Sequence, residues 1–201
     1  ELAKQNISLN VTTIFKRFEW IKRNRDNEDL TSHNININYP NPLLKSLASK
    51  FEPSIKNNLA SLVSNTQKKE EKKKSKWSSW SLVDLSIGDY KEMDLDRAKN
   101  IKTKGITIGS DRKIEDDKFF GLALRYGNGS SNIGRTVQKV DLESLTLNIY
   151  GIAPTNNNQY INVILGLSAL RYANKYLGNI SGERNGRQAF ASINYRTKNT
   201  K

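Results

Sequence analysis

The apolar residues of the first 76 positions recur at helical spacing. The first apolar stripe, typical of one face of an α-helix, consists of Val11, Ile14, Phe15, Phe18 and Ile21. A second stripe runs from Leu44 to Leu62 and is interrupted at Pro53, where we expect a kink or a new helix start. Between the two, isoleucine alternates with asparagine over residues 34–38, which predicts a short extended segment before Pro40.

From Trp77 onward the apolar period changes to two, the period of a β-strand. The alternating segments are centred on residues 82–88, 105–109, 120–127, 144–150, 161–169 and 189–195. Each has aliphatic residues on one face and small or polar residues on the other. The sequence therefore predicts six strands after an N-terminal helical region.

The links between these segments are expected to alternate in length. Long links are predicted at Lys91–Asn100, Gly127–Lys139 and Asn174–Arg187, and tight turns at Glu115–Asp117 and Pro154–Asn158. A transmembrane β-barrel has this arrangement, because its external loops lie on one rim and its short turns on the other.

The two faces of the predicted strands differ in a way that favours a membrane barrel over a soluble sandwich. Opposite the aliphatic face lie mostly Gly, Ala, Ser, Thr and Asn, with isolated charges at Asp84, Asp111 and Arg125. Small and polar side chains suit a wet lumen, and aliphatic ones suit lipid. Tyrosines at or near strand ends are expected to form an interfacial girdle: Tyr90, Tyr126, Tyr150, Tyr160, Tyr172 and Tyr195.

The composition shows an excess of basic residues but no reactive thiol. Lys+Arg number 33 against 20 Asp+Glu, a net charge of +13, and part of this excess lies in the run Lys68–Lys76, which reads as a solvated connector. The chain has no cysteine, so disulfide and thiolate chemistry are excluded. Its longest apolar stretch, Ile161–Leu170, is about half the length of a membrane-spanning helix. No basic-then-apolar leader follows Glu1, so we expect either a cytoplasmic protein or an interior piece of a longer exported chain.

No catalytic, cofactor-binding or metal-binding residue is predicted, and the chain is not expected to be an enzyme. His33, the only histidine, has no spaced carboxylates nearby. Asp116 and Asp117 are better explained by a tight turn than by acid–base chemistry. The segment Gly127–Gly129 is not followed by the Lys-Ser/Thr of a phosphate loop. Without a second histidine no nucleophile–base pair stands out, and no serine–lysine pair does either.

Five segments together resemble, in order and spacing, the translocator domain of autotransporters. They are Trp77–Trp80, Gly105–Arg112, Phe120–Gly127, Ser144–Gly151 and Gly182–Gln188. The resemblance covers roughly residues 77–200, and the helix containing Phe18–Arg23 is similar to the helical segment that often precedes such barrels.

The resemblance implies an outer-membrane barrel of about twelve strands that carries an N-terminal passenger to the bacterial cell surface. A helix upstream of the barrel would pass through the lumen, and residues 43–65 are the candidate. Some family members cut themselves between two asparagines in this helix, and Asn57-Asn58 lies within it. The fold class is then all-β with N-terminal helices, an antiparallel, up-and-down transmembrane barrel. Residues 1–76 would form the pre-barrel linker and residues 77–201 the first half of the barrel. Six strands are too few to close a lumen and the usual terminal aromatic strand is missing, so a fragment truncated at both ends is expected.

The implied partners are outer-membrane lipid, lipopolysaccharide, the chain's own passenger, the barrel-assembly machinery and periplasmic chaperones. Two other functions stay open from the sequence. A soluble basic β-domain could bind nucleic acid, but its aromatics should then share a face with basic residues, whereas Phe120, Tyr126 and Tyr195 share one with aliphatics. The second is a soluble sandwich acting as an adhesin or structural module.

Overall fold

The computed structural model describes residues 2–27, 29–38, 77–90, 99–114, 117–133, 138–156, 159–175 and 180–197. Within these ranges the chain forms one helix, α1 (Leu2–Arg23), followed by strands. The strands are β1 (Ser32–Asn38), β2 (Ser78–Tyr90), β3 (Lys99–Lys113), β4 (Phe119–Ile133), β5 (Gln138–Asn156), β6 (Gln159–Lys175) and β7 (Ser181–Thr197). No helix in the described part of the chain is both long enough and apolar enough to cross a membrane.

The strands form one sheet in which each strand pairs with its neighbours in the sequence. From β2 to β7 every pairing is antiparallel, which confirms the predicted up-and-down order. β1, predicted only as a short extended segment, pairs parallel to β2 and makes the sheet seven-stranded. The sheet is not closed into a barrel among the described residues.

Two of the predicted long links are wrong, because most of their residues continue the strands. Gly127 pairs with Ser144, and the ladder between β4 and β5 continues to Ile133. Gly182–Arg187 likewise pair with β6. Their outward side chains are polar, so the apolar alternation stops there while backbone pairing continues.

These polar strand extensions all lie at the same ends of the strands. We call the ends joined by links 91–98, 134–137 and 176–180 the loop rim, and the ends joined by links 114–118 and 157–158 the turn rim. On β5, the outward residues at the loop rim are Lys139, Asp141 and Glu143, and the aliphatic positions begin at Leu145. The sequence predicts longer loops on one rim than on the other. In the structure the strands themselves extend farther at the loop rim than the apolar pattern predicts.

The two faces of the sheet have the polarity predicted for a membrane barrel. The inward polar side chains Thr107, Thr146 and Asn148 are fully buried, whereas Ile108 is 54% and Leu167 is 64% exposed on the outward face. In water this arrangement is unfavourable, since it removes polar groups from solvent and leaves aliphatic ones in it. In a bilayer the same arrangement is favourable.

The outward aliphatic residues form an apolar belt that crosses the strands obliquely. One row of paired residues is apolar across five strands: Ile108, Leu124, Leu147, Leu167 and Ala189. The next row toward the loop rim begins at Ile106 and ends in Arg187, whereas a row nearer the turn rim begins at Arg112 and ends in Ile193. Strands tilted against the membrane normal produce this slant. Along β6 the belt runs from Ile161 to Ala169, about 27 Å of strand, or roughly 20 Å of membrane depth at a tilt near 40°.

The predicted tyrosine girdle is only partly correct. Tyr126 and Tyr195 face outward and are about half exposed, at 49% and 56%. Tyr150 and Tyr160 are buried on the inward face, because they share strand parity with the polar positions. Tyr172 also faces inward and packs against the cluster that contains Leu2, Leu142 and Leu170. The side chain of Tyr90 lies outside the described residues.

Candidate functional site

α1 lies across the inward face of the sheet and packs against β4, β5 and β6. Its first residue in the structure, Leu2, contacts Ile101, Leu142 and Leu170 near the loop rim. Its last turns bury Phe18 and Ile21 in a cluster with Phe119, Ile152 and Tyr160 near the turn rim. The helix therefore runs from the loop rim to the turn rim, and its predicted apolar stripe is confirmed as the packing face at the turn-rim end.

Arg17 is the main polar attachment of α1 to the sheet. Its Nε and Nη2 donate to Oδ2 and Oδ1 of Asp111, each at 2.7 Å, and both side chains are almost fully buried. Nη2 also donates to the carbonyl of Leu30 at 2.7 Å, and Nη1 donates to Oγ of Ser32 at 2.8 Å. A bidentate guanidinium–carboxylate pair fixes orientation as well as distance, so Arg17 sets the axial position of the helix.

A chain of aromatic groups supports this ion pair from the sheet side. Tyr150 donates its hydroxyl hydrogen to Oδ2 of Asp111 at 2.8 Å, and Nε1 of Trp80 donates to the Tyr150 hydroxyl at 2.6 Å. The Arg17 guanidinium lies 4.7 Å from the ring centroid of Trp20 and 5.6 Å from that of Trp80. Stacked rings keep water from the pair and add cation–π attraction.

A second buried ion pair lies within the sheet, nearer the loop rim. Arg125 on β4 makes a bidentate pair with Asp84 on β2, with Nη2 donating to Oδ2 at 2.8 Å and Nη1 donating to Oδ1. Nη1 also donates to Oγ1 of Thr107 on the intervening strand at 3.2 Å. The guanidinium covers Gly105, where a β-carbon would overlap it. Two isolated charges predicted for the lumen face thus neutralise each other across three strands.

Two asparagines on α1, one turn apart, contact polar residues of β5. Ser144 donates from Oγ to Oδ1 of Asn6 at 2.9 Å, and Asn148 donates from Nδ2 to Oδ1 of Asn10 at 3.3 Å. Asn10 also donates to the backbone carbonyl of Asn6 at 2.8 Å. Several buried polar atoms here, among them Nδ2 of Asn6 and Oδ1 of Asn148, have no protein partner in the described structure. This part of the interface between α1 and β5 is polar rather than hydrophobic, which suits a helix that lies in a hydrated channel.

Large inward side chains lie over glycines of the adjacent strand. Trp80 covers Gly109, Tyr150 covers Gly121 and Phe190 covers Gly166, and a β-carbon at any of these glycines would overlap the ring. The paired register places each ring beside its glycine. The glycines thus leave room for rings to lie flat, so the inward face stays shallow enough for α1.

The residues set aside as weak candidates in the sequence have structural roles where the structure describes them. Nδ1 of His33 lies 2.8 Å from Oγ of Ser81, between β1 and β2. Asp117 adopts a positive φ of 62° in the turn after β3 and accepts a hydrogen bond from Nζ of Lys113 at 2.5 Å. Gly127 lies within β4, where Ser144 donates to its carbonyl at 3.3 Å.

Three other predictions fall outside the described residues: the lumen helix at 43–65, the Asn57-Asn58 site and Asp116. They remain predictions. Arg17, Asn6 and Asn10 were not predicted as site residues from the sequence, although Arg17 lies next to Phe18 on the packing face. Among the residues with described positions, no group of three or more His, Cys, Asp or Glu could hold a metal ion.

Comparison with protein families gives one match. The family described as autotransporter beta-domain matches residues 86–198, more than half of the 201-residue chain. Comparisons with curated proteins and with solved structures give no match. The matched region contains β3 to β7 and the end of β2, which carry the apolar belt and most of the polar inward face. The chain therefore belongs to the autotransporter β-domain family, the β-barrel translocators of type V secretion in the bacterial outer membrane.

Proposed function

We propose that this chain exports an N-terminal passenger to the bacterial surface and then anchors it in the outer membrane. The observation that carries the proposal is the direction of α1. Because α1 runs from the loop rim to the turn rim, any polypeptide preceding it emerges at the loop rim. A passenger joined to the first residues of this chain would therefore lie on the loop-rim side.

The loop rim is assigned to the cell exterior from the shape of the wall. In outer-membrane barrels, short turns face the periplasm and the longer extensions face outward. Here, the polar extensions of β4, β5 and β7 all project at the loop rim, and the β5–β6 link at the turn rim consists of residues 157–158.

The mechanism is passive. The inward face offers hydroxyl, amide and glycine positions to a translocating chain, and the outward belt holds the wall in lipid. Transport ends when α1 docks, because Arg17 then reaches Asp111 and the two asparagines reach β5. No step requires a side chain to form or break a covalent bond.

The proposed partners come from membership of the autotransporter β-domain family. That membership implies periplasmic chaperones and the barrel-assembly machinery, and the aliphatic belt, which is unfavourable in water, supports a need for them. Lys102, Lys104 and Arg187 are exposed cations on the loop-rim side of the belt, which supports a contact with lipopolysaccharide phosphates. Nucleic acid is not proposed as a partner, since the outward Tyr126 and Tyr195 lie among aliphatic side chains rather than in a basic groove.

An epitope tag inserted immediately before Glu1 in the intact gene tests the export proposal. We expect antibody to label the tag on intact cells. A control tag between Asn156 and Gln159, at the turn rim, should be labelled only after the outer membrane is permeabilised. Labelling of the first tag only in permeabilised cells would refute export in this direction, and labelling of both tags on intact cells would refute the assignment of the rims.

A further inference from the structure

β1 covers the outer edge of the first long strand of the sheet. Its residues pair with β2 from Ser32 opposite Trp80 to Asn38 opposite Ser86, and the two strands are parallel. Every other pairing in the described sheet is antiparallel. β1 is therefore the one strand of the described sheet whose direction breaks the up-and-down order.

In a closed barrel the outer edge of β2 must pair with another strand. Backbone groups in the hydrocarbon region need partners, so a membrane barrel can have no free strand edge. In an antiparallel barrel with an even number of strands, the strand that closes against the first one must run antiparallel to it. β1 runs parallel to β2, so it cannot be that closing strand. Because one strand edge pairs with only one neighbour, β1 and the closing strand cannot both pair with this edge of β2.

β1 is also poorly matched to a permanent place in the wall. It spans 7 residues, against 13 in β2, and its sequence alternates asparagine with isoleucine after Ser32 and His33. Asn38 lies toward the loop rim and Ser78 at the turn rim, so β1 enters the sheet from the same rim as β2 instead of continuing the up-and-down order.

We propose that the barrel closes at the free edge of β2, which we call the seam, and that β1 pairs with this edge only temporarily. β1 provides backbone partners for β2 until an antiparallel strand replaces it. That strand should place apolar side chains outward beside Val83 and Leu85, because both alternate with the inward Leu82 and Asp84. The inference rests on the proposed function, since only a chain that inserts as a barrel needs this exchange.

The contacts of Arg17 are compatible with such an exchange. Of its partners, Leu30 precedes β1 and Ser32 is the first residue of β1, whereas Asp111 lies in β3. Release of β1 beyond Ser32 leaves the Arg17–Asp111 pair intact. The helix can therefore stay docked while the seam changes partner.

Disulfide trapping tests the proposal directly, because the chain has no cysteine of its own. His33 and Ser81 are paired in register and their side chains meet at 2.8 Å, so His33→Cys with Ser81→Cys is placed to form a β1–β2 disulfide. The control pair, Ser81→Cys with Ile108→Cys, links β2 to β3 in the permanent wall. Both pairs are introduced into the protein expressed from its intact gene, refolded from urea into detergent micelles and sampled with time.

We expect the β1–β2 disulfide to form early and to be absent from the heat-modifiable folded barrel, while the control disulfide is present in both. Oxidation before refolding should lower the yield of folded barrel more than tenfold in the β1–β2 variant alone, and reduction should restore it. A β1–β2 disulfide in the folded barrel, its absence throughout, or an unchanged yield after oxidation would each overturn the seam proposal.

The tag experiment on the parent without added cysteines separates this proposal from the proposed function. If the parent displays its tag while the β1–β2 disulfide persists in the folded barrel, export stands and the seam exchange fails. If the disulfide is lost on folding while the tag stays inaccessible in intact cells, the exchange stands and export in this direction fails.

Discussion

Replacing Arg17 with methionine should release α1 from the sheet. The substitution keeps much of the aliphatic stem but removes the charge, and it leaves Asp111 buried with Tyr150 as its remaining side-chain donor. Breaking a buried ion pair on one side typically costs about 3–5 kcal/mol. The equilibrium between docked and undocked helix should then shift by roughly a hundredfold to several thousandfold.

Tryptophan fluorescence can measure this shift, because Trp20 and Trp80 both lie against the Arg17 guanidinium. Denaturant titration of the protein in micelles should show the fluorescence change moving to lower denaturant in the variant. The barrel itself, followed by heat-modifiable mobility on gels, should unfold at nearly the same point as the parent. The matched control is Arg196→Met, which breaks an exposed pair with Glu19 on the same helix, measured at 2.8 Å. Such a pair contributes about 0–1 kcal/mol.

A double-mutant cycle with Asp111→Asn tests whether the two side chains act together. The double variant should cost at least about 1 kcal/mol less than the sum of the single variants. If the single effects add, or if Arg17→Met costs no more than Arg196→Met, Arg17 does not hold the helix and the argument from its buried contacts is wrong.

Two further substitutions test the inward and outward faces. Gly121→Ala should destabilise the folded barrel by about 1–3 kcal/mol, because its β-carbon overlaps the Tyr150 ring; Gly182→Ala, with open space around it, should have little effect in the same thermal gel-shift assay. A Gly121→Ala variant as stable as the parent would show that the ring does not need the glycine. Leu167→Arg, in the outward belt, should cost about 2–4 kcal/mol in lipid, whereas Asn185→Arg beyond the belt should cost about 0–1 kcal/mol. Equal effects at these two positions, measured by unfolding in liposomes, would contradict the placement of the belt.

The six strands β2–β7 and the direction of their faces could be predicted because each contains a segment in which apolar residues recur with a period of two. The extent of the strands could not, since the outward residues become polar beyond Tyr126 while the ladder with β5 continues to Ile133. The length over which two strands pair depends on both strands, so the apolar pattern of one strand does not predict it. The position of Tyr150 near a strand end predicts an interfacial side chain, whereas its parity with Ser144 and Thr146 places it on the inward face.

The helix attachment was beyond the reach of local patterns. An arginine on an amphipathic helix normally marks the solvent side, whereas Arg17 faces inward, where its charged partner is a carboxylate 94 residues away in sequence. Its position beside Phe18 was the one available signal. The pairing of β1 was equally hidden, because it depends on which strand edge is uncovered rather than on the segment itself.

The polar extensions of the strands give the barrel a raised collar. On β5, the distance along the strand from Leu145 to Lys139 is about 20 Å, which at the usual tilt lifts the mouth roughly 15 Å above the hydrocarbon. A polypeptide leaving such a mouth would clear the crowded headgroup layer before it begins to fold. The height of this collar, rather than the length of any flexible loop, would then decide how far from the lipid surface an exported domain first becomes free.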